Sequence, residues 1–416
     1  MNIMILAGAG TSVELGVPAM AGMAREFIDH SKQWCVEPEL VQKIIGNTLD
    51  IEYLIDGLDK ICSAASSLKA IGQNTEELRR VHKIRAEVEW FVQHAAERIV
   101  PKEAELMWGG ILRSSSTHAL SLITTNYDRA IELAANAVNV ELNDGYNQFE
   151  EGELSRWNGF GNSDDEVVLA KLHGSTDWFE ETGTKSAIKL RHPMPLFGNT
   201  RLQIAGEQEL GSSLVLPSRE KLLTHAPYPR LSQIFLNSAD KCEIAIFMGT
   251  SLRDDHLRDA AISTAMKVPV FLVTPEALDT ELENIIHIKQ CASTFLISTL
   301  PNALATDNIA AYLTTKSVSV LEDQGIFQTL ISALNASLSP HLRCQALEEL
   351  EDLELAPNIW VLENLLEDEN PQVARYALGL LSHSPHGEIL RDKAKTSAHK
   401  VDNSFLQDLK LLEEMV

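Results

Sequence analysis

The chain has 416 residues, 44% of them hydrophobic, and a formal net charge of −24 at pH 7. Such a length accommodates a full α/β-type domain plus one further domain. The acidic balance, with no Lys/Arg-rich stripe, argues against direct nucleic-acid binding, and charges interrupt every apolar stretch before it could cross a bilayer, so no membrane partner is expected.

The chain opens on Ile3-Met4-Ile5-Leu6, an apolar run that reads as a buried strand. No basic segment followed by an apolar one precedes it, so a cytoplasmic protein is expected. Gly8, Ala9, Gly10, Thr11 and Ser12 come next and suit a phosphate cradle, because glycines let the backbone approach an anion closely. A tight strand-to-helix turn without ligand is the alternative. Pro18 to His30 reads as a helix, and about 37–116 as an almost wholly helical insertion over the cleft, with apolar positions such as Leu54, Leu58, Ile84 and Val88 at helical spacing.

Strand-like runs then follow at Leu120–Thr124, Val167–Leu172, Glu243–Met248 and Val268–Val273, with helices expected at Asp128–Val138 and Asp254–Met266. That alternation predicts an α/β fold, a Rossmann-like doubly wound parallel sheet. Thr125, Asn126 and Asp128 lie just past one strand. The Asn126 amide could hold a water or a sugar hydroxyl, or cap the next helix, and Asp128 has the same capping alternative. His173 ends another strand before Gly174, where an imidazole could take a proton from a hydroxyl or a water. Most histidines are structural, and the chain has 13. Asp177 could orient a partner or close a turn. Gly249, Thr250 and Ser251 repeat the strand–glycine–helix pattern of the first loop, and Thr274 ends the following strand. Gly183 to about Tyr228 shows no period and reads as an irregular excursion.

The five cysteines, Cys35, Cys62, Cys242, Cys291 and Cys344, form no Cys-x-x-Cys pair. They read as structural thiols, with no metal expected. In the tail, Pro340, Leu342, Ala346, Leu347 and Leu350 match Pro371, Val373, Ala377, Leu378 and Leu381 at one offset. The pattern fits HEAT-type helical repeats or an ordinary helical hairpin. The expected division is 1–320 for the nucleotide domain and 321–416 for a small helical, HEAT-like domain.

The ordered set Leu6-Ala-Gly-Ala-Gly-Thr-Ser12, Ile123-Thr-Thr-Asn-Tyr-Asp128, Leu172-His-Gly-Ser-Thr-Asp177 and Phe247-Met-Gly-Thr-Ser-Leu252 resembles the sirtuin family over about residues 1–300. The resemblance implies NAD as substrate, held by the two glycine loops. It further implies that Asn126 is the catalytic Asn, His173 the base and Asp128 the contact to the nicotinamide carboxamide. Thr125 stands where the family has Gln, and Thr274 where it usually has Asn. After the first loop the chain reads Gly16-Val17-Pro18-Ala19-Met20-Ala21, without the Asp-Phe-Arg of sirtuin deacylases, and the two Cys-x-x-Cys pairs of their zinc module are missing. What remains resembles the sirtuin-like NADases of bacterial anti-phage defence. That resemblance implies an NAD+ hydrolase giving nicotinamide and ADP-ribose, a homo-oligomer, and activation by a separate protein such as a HerA-type ATPase. An ADP-ribosyltransferase and a non-catalytic NAD or ADP-ribose sensor are the alternatives.

Overall fold

The computed structural model describes residues 1–33, 37–45, 51–70, 76–147, 149, 154–161, 167–181, 186–191, 202–204, 208–212, 226–252, 254–276, 284–318, 326–352, 364–366 and 368–382. Strand β1 (Asn2–Ala7) is buried from Ile3 onward. Its side chains divide by parity: Ile3, Ile5 and Ala7 enter one hydrophobic cluster, Met4 and Leu6 another. A strand sends alternate residues to opposite faces, so an unbroken apolar run marks one covered on both. The same division holds in β2 (Ala119–Thr124), with Leu120 and Leu122 opposite Ile123.

Two short strands, β3 (Leu142–Asn143) and β4 (Leu154–Arg156), precede β5 (Val167–Lys171). The antiparallel strands β6 (Trp178–Glu181), β7 (Ala187–Leu190), β8 (Leu202–Ile204) and β9 (Gln208–Ser212) follow, and then β10 (Ile244–Met248), β11 (Val270–Val273) and β12 (Ile285–Ile288). Seven of these make one sheet in the order β12-β11-β10-β1-β2-β5-β3, with every neighbouring pair parallel. From β1 the chain builds outward through β2 and β5, then returns to lay β10 on the other side of β1 and builds outward again. The order therefore reverses between β1 and β10, and the crevice at the carboxyl ends of strands beside such a reversal is where open α/β sheets bind ligands. The expected α/β doubly wound class is the one observed.

Between β1 and β2 lie α1 (Gly10–Val13), α2 (Met20–Gln33), α3 (Pro38–Ile45), α4 (Ile51–Ala70), α5 (Glu76–Ala96) and α6 (Pro101–Arg113). Leu54 and Leu58 of α4 and Ile84, Val88 and Val92 of α5 are fully or almost fully buried, which is the spacing of one helical face. These helices share the sheet face of Ile3 and Ile5. The opposite face is covered by α8 (Tyr228–Lys241) and α9 (Asp255–Ala265), through Leu231, Phe235 and Ala261. α7 (Ala130–Ala137) follows β2 and packs on α6.

The second sheet, in the order β4-β7-β6-β9-β8, is antiparallel and has a small core of Phe179, Ile188, Leu190 and Leu210. It corrects the expectation of an irregular excursion from Gly183 to Tyr228, because β7, β8 and β9 fall there. Each has only three to five residues, too few for a period-2 pattern to stand out. Much of the rest of that stretch lies outside the described residues.

Beyond the sheet come α10 (Ala292–Thr294), a π-helical turn Phe295–Thr299, α11 (Leu300–Leu304) and α12 (Ile309–Val318). The tail adds α13 (Ile326–Leu334), α14 (Pro340–Asp352) and α15 (Pro371–Ser382). The two aligned tail segments are both helices that begin at their proline. Ala346 and Leu347 are buried like Ala377 and Leu378, but Leu342 is 48% exposed where Val373 is fully buried. Leu350 and Leu381 have no described side-chain environment. Among the described residues no helix is long and apolar enough to cross a membrane.

Candidate functional site

All the residues singled out in the sequence lie on loops leaving the carboxyl ends of parallel strands: 8–12 after β1, 125–128 after β2, 173–177 after β5, 249–251 after β10 and Thr274 after β11. The first and fourth loops interlock at the reversal point. Gly8 N donates to Met248 O at 2.9 Å and Gly10 N to Gly249 O at 2.8 Å. A Cβ on Gly8 would stand 2.7 Å from Gly249 O, and one on Gly249 2.4 Å from Thr11 N; Gly249 also has φ +60°. The glycines are thus needed for loop-to-loop contact. Gly8, Gly10, Thr11 and Ser12 all use their amides inside the protein. The N–H groups of Ala9, Thr250 and Ser251 have no hydrogen-bond partner among the described residues.

Asn126 reaches back under the first loop. Its Nδ2 donates to Gly8 O at 2.9 Å, Thr11 Oγ1 at 2.9 Å and Ser12 Oγ at 2.8 Å. Its Oδ1 accepts no hydrogen bond among the described residues. Ser12 Oγ in turn donates to Asp128 Oδ2 at 2.6 Å, and Asp128 Oδ1 accepts from Ala130 N at 3.0 Å. Asp128, one residue before the N-cap Arg129, thus holds the first amide of α7 while it anchors Ser12. Asn126 does not cap α7. Thr125 N bonds Ala7 O at 3.1 Å, tying the second loop to the end of β1.

His173 lies in the turn after the adjacent strand, two residues past Lys171, whose register partner is Thr124; Asn126 is two residues past Thr124. The imidazole and the carboxamide therefore leave neighbouring strands on one edge. The His173 ring lies 6.4 Å from that of Tyr127. Gly174 takes φ +86°, which turns the chain sharply at that point. Thr176 N donates to Tyr127 O at 3.0 Å, so the two loops are stitched together by backbone.

Several charged residues of this region went unnoticed in the sequence. Lys171 is 1% exposed; its Nζ bonds Asp128 O and Glu132 Oε1, the latter at 2.9 Å. Burial pushes the Glu132 carboxyl above its ordinary value, against the pull of Lys171 and Lys189. Burial works against the charge of Lys189, but Asp177 and then Asp144 outweigh it and hold the ammonium above the usual lysine value. Asp177 is 2% exposed and lies 3.8 Å from Lys189 Nζ. A lysine inside the apolar run Val167–Leu172 was the one signal in the sequence, since a buried ammonium needs a partner. A small cavity of ≈ 10 Å³ lies under the second loop, lined by Asn126, Asp128, Ser12, Trp108 and Glu132 among others.

At the other end of the site, Thr250 Oγ1 accepts from Leu252 N at 3.2 Å and Ser251 is exposed. Thr274 is 8% exposed, its carbonyl 3.0 Å from His287 Nε2. Among the described residues no group of three or more His, Cys, Asp or Glu could hold a metal ion.

Residues 120–285 match the family model described as SIR2-like domain. The matched stretch begins in β2 and ends in β12. Among solved structures it is similar to a Sir2 homologue in complex with NAD (14% identity, 76% of this chain and 90% of that one, TM-score 0.42). A structure addressing the mechanism and regulation of Sir2 enzymes gives 12% identity over 76% and 91%, TM-score 0.36. One addressing sirtuin substrate affinity gives 11% over 71% and 90%, TM-score 0.34. No curated protein matches the chain.

Proposed function

We propose that the chain is an NAD+ hydrolase that cleaves the nicotinamide–ribose bond at this carboxyl edge. The observation that carries the reading is that Asn126 and His173 leave adjacent parallel strands on the edge where two glycine loops interlock at the sheet's reversal point. The SIR2-like domain match over 120–285 supports it. The N–H groups of Ala9, Thr250 and Ser251 supply donors for a diphosphate. That narrows the binding role of the first loop to one amide, with Gly8, Gly10, Thr11 and Ser12 shaping it. Thr125, Asp128 and Thr274 act at the margins, toward the ribose, the nicotinamide and the adenosine respectively.

Nicotinamide is already cationic in NAD and leaves as a neutral base with the electron pair of the bond, so the enzyme needs no acid for it. The ribose takes on oxocarbenium character as the bond opens. Water adds to the anomeric carbon, and His173 takes its proton. The Asn126 Oδ1 orients that water or a ribose hydroxyl, since its Nδ2 is committed to the first loop. The products are nicotinamide, ADP-ribose and a proton.

In this reading residues 1–320 hold the substrate and 321–416 form a separate helical unit. NAD depletion in anti-phage defence, a cytoplasmic homo-oligomer and a separate activating protein such as a HerA-type ATPase complete the proposal. The test uses NAD labelled in its adenosine half. Release of free nicotinamide and labelled ADP-ribose, lost by about 100-fold or more in His173→Ala, is the expected result. Label on protein would make the chain a transferase. Binding without turnover, with a candidate partner present, would make it a sensor.

A further inference from the structure

Beneath the His173 loop, charges join parts of the chain that are far apart in sequence. Glu97, immediately after α5, accepts from the Thr176 hydroxyl with Oε1 and from Arg129 Nη2 at 3.0 Å with Oε2. Thr176 is 4% exposed, and the Glu97 and Arg129 side chains 22% and 23%. Thr176 belongs to the loop of His173, and Arg129 directly follows the loop of Asn126. One carboxylate therefore holds both candidate catalytic loops. It comes from the helical insertion, whose own packing through Val81, Ile84, Val88 and Val92 is apolar and does not depend on it.

Arg129 Nε and Asp177 Oδ1 are also buried there, with no hydrogen-bond partner among the described residues. Burial works against the Arg129 charge, yet Glu97 first, and then Asp177 and Glu132, leave the guanidinium above its usual value. A cation so placed needs its carboxylate: without Glu97 it would turn toward Asp177 and draw the 173–177 loop with it.

We infer that Glu97 is a positioning residue of the reaction, a carboxylate on the helical insertion that fixes the Asn126 and His173 loops against each other. The inference rests on the NAD hydrolysis proposed above. Displacing a reacting group by about 1 Å costs on the order of 100-fold in rate, so the effect falls on turnover more than on binding.

The experiment compares full-length wild type with Glu97→Ala, Glu97→Gln and Thr176→Val. It measures kcat and KM for NAD, the thermal midpoint, and hydrogen exchange over 172–178. In Glu97→Ala, kcat should fall about 10- to 100-fold with KM changed less than about threefold, and the Thr176 amide should exchange faster. Gln, which still accepts from Arg129, should recover part of kcat, and Thr176→Val should reproduce part of the loss. Unchanged kcat in Glu97→Ala, or a loss matching only the fraction unfolded, overturns the inference. Wild type that fails to cleave NAD overturns the proposed function instead. The exchange comparison then decides the loop-holding role: faster exchange in Glu97→Ala supports it, and unchanged exchange overturns it.

Discussion

The amide nitrogen of Asn126 donates to Gly8, Thr11 and Ser12, which gives this side chain a folding role as well as a chemical one. Asn126→Ala removes the two N–H bonds that this half-buried amide shares among the three acceptors and should cost about 1–3 kcal/mol of stability at roughly 1 kcal/mol for each. Asn126→Asp keeps an oxygen for the water but turns a carboxylate on Gly8 O, and it should be destabilised at least as much. Urea unfolding midpoints of the two variants check this, and midpoints equal to wild type would contradict the hydrogen bonding. Gly249→Ala should lose at least about 1 kcal/mol, since its φ of +60° and the 2.4 Å approach of Thr11 N leave no room for a Cβ; a thermal scan reads the loss. The Cys242 thiol is pushed up to about 11, chiefly by burial. It stays protonated from neutral pH until the solution nears that value, so a thiol reagent should modify it slowly at pH 8 in the native protein and fast in urea. Equal rates would show it exposed. The glycines, Asn126 and His173 were legible because each occupies a distinctive place in a strand-to-loop junction. Glu97, Arg129 and Lys189 were not, since an acid or base on a helix or a short strand looks like surface until its partner, many residues away, is in view.

Helices and long strands declared themselves by period. The positions Leu54, Leu58, Ile84 and Val88, picked by spacing, are buried in α4 and α5, and β1, β2, β5, β10 and β11 coincide with the apolar runs to within two residues. β3 has two residues, and β12, Ile285-Ile286-His287-Ile288, is short, broken by a histidine and half-buried over most of its length, so neither stood out as a strand. The antiparallel sheet was missed for the same reason, because its strands gain burial from one another across loops and not from their own composition. In the tail, Arg343 is 5% exposed; it donates through Nε to Ala333 O at 2.8 Å and through both terminal nitrogens to Asp368, with Nη1 at 3.2 Å. The guanidinium thus ties the end of α13 and the body of α14 to the turn before α15. Asp368→Ala would strand that charge and should cost roughly 3–5 kcal/mol, seen by calorimetry as earlier melting of the tail helices. A variant that melts like wild type would show the ion pair to be incidental.

Across the molecule, a net charge of −24 opposes an anionic ligand, and the cations Lys171, Arg129 and Lys189 behind the carboxyl edge are each offset by carboxylates; what the edge offers an anion is the N–H groups of Ala9, Thr250 and Ser251, which have no hydrogen-bond partner among the described residues. Most of that is dipolar and short-ranged, so binding should depend weakly on salt. The doubly wound order was foreseeable from strands alternating with helices, but the placing of β10 beside β1, on which the site depends, was not, because pairing between residues 241 positions apart leaves no local trace. The most direct measurement is a crystal structure of the full chain with ADP-ribose. The account predicts the diphosphate over Ala9, Thr250 and Ser251, with the ribose that carried nicotinamide facing Asn126 and His173. ADP-ribose bound away from this edge, or refused at millimolar concentration, would contradict it.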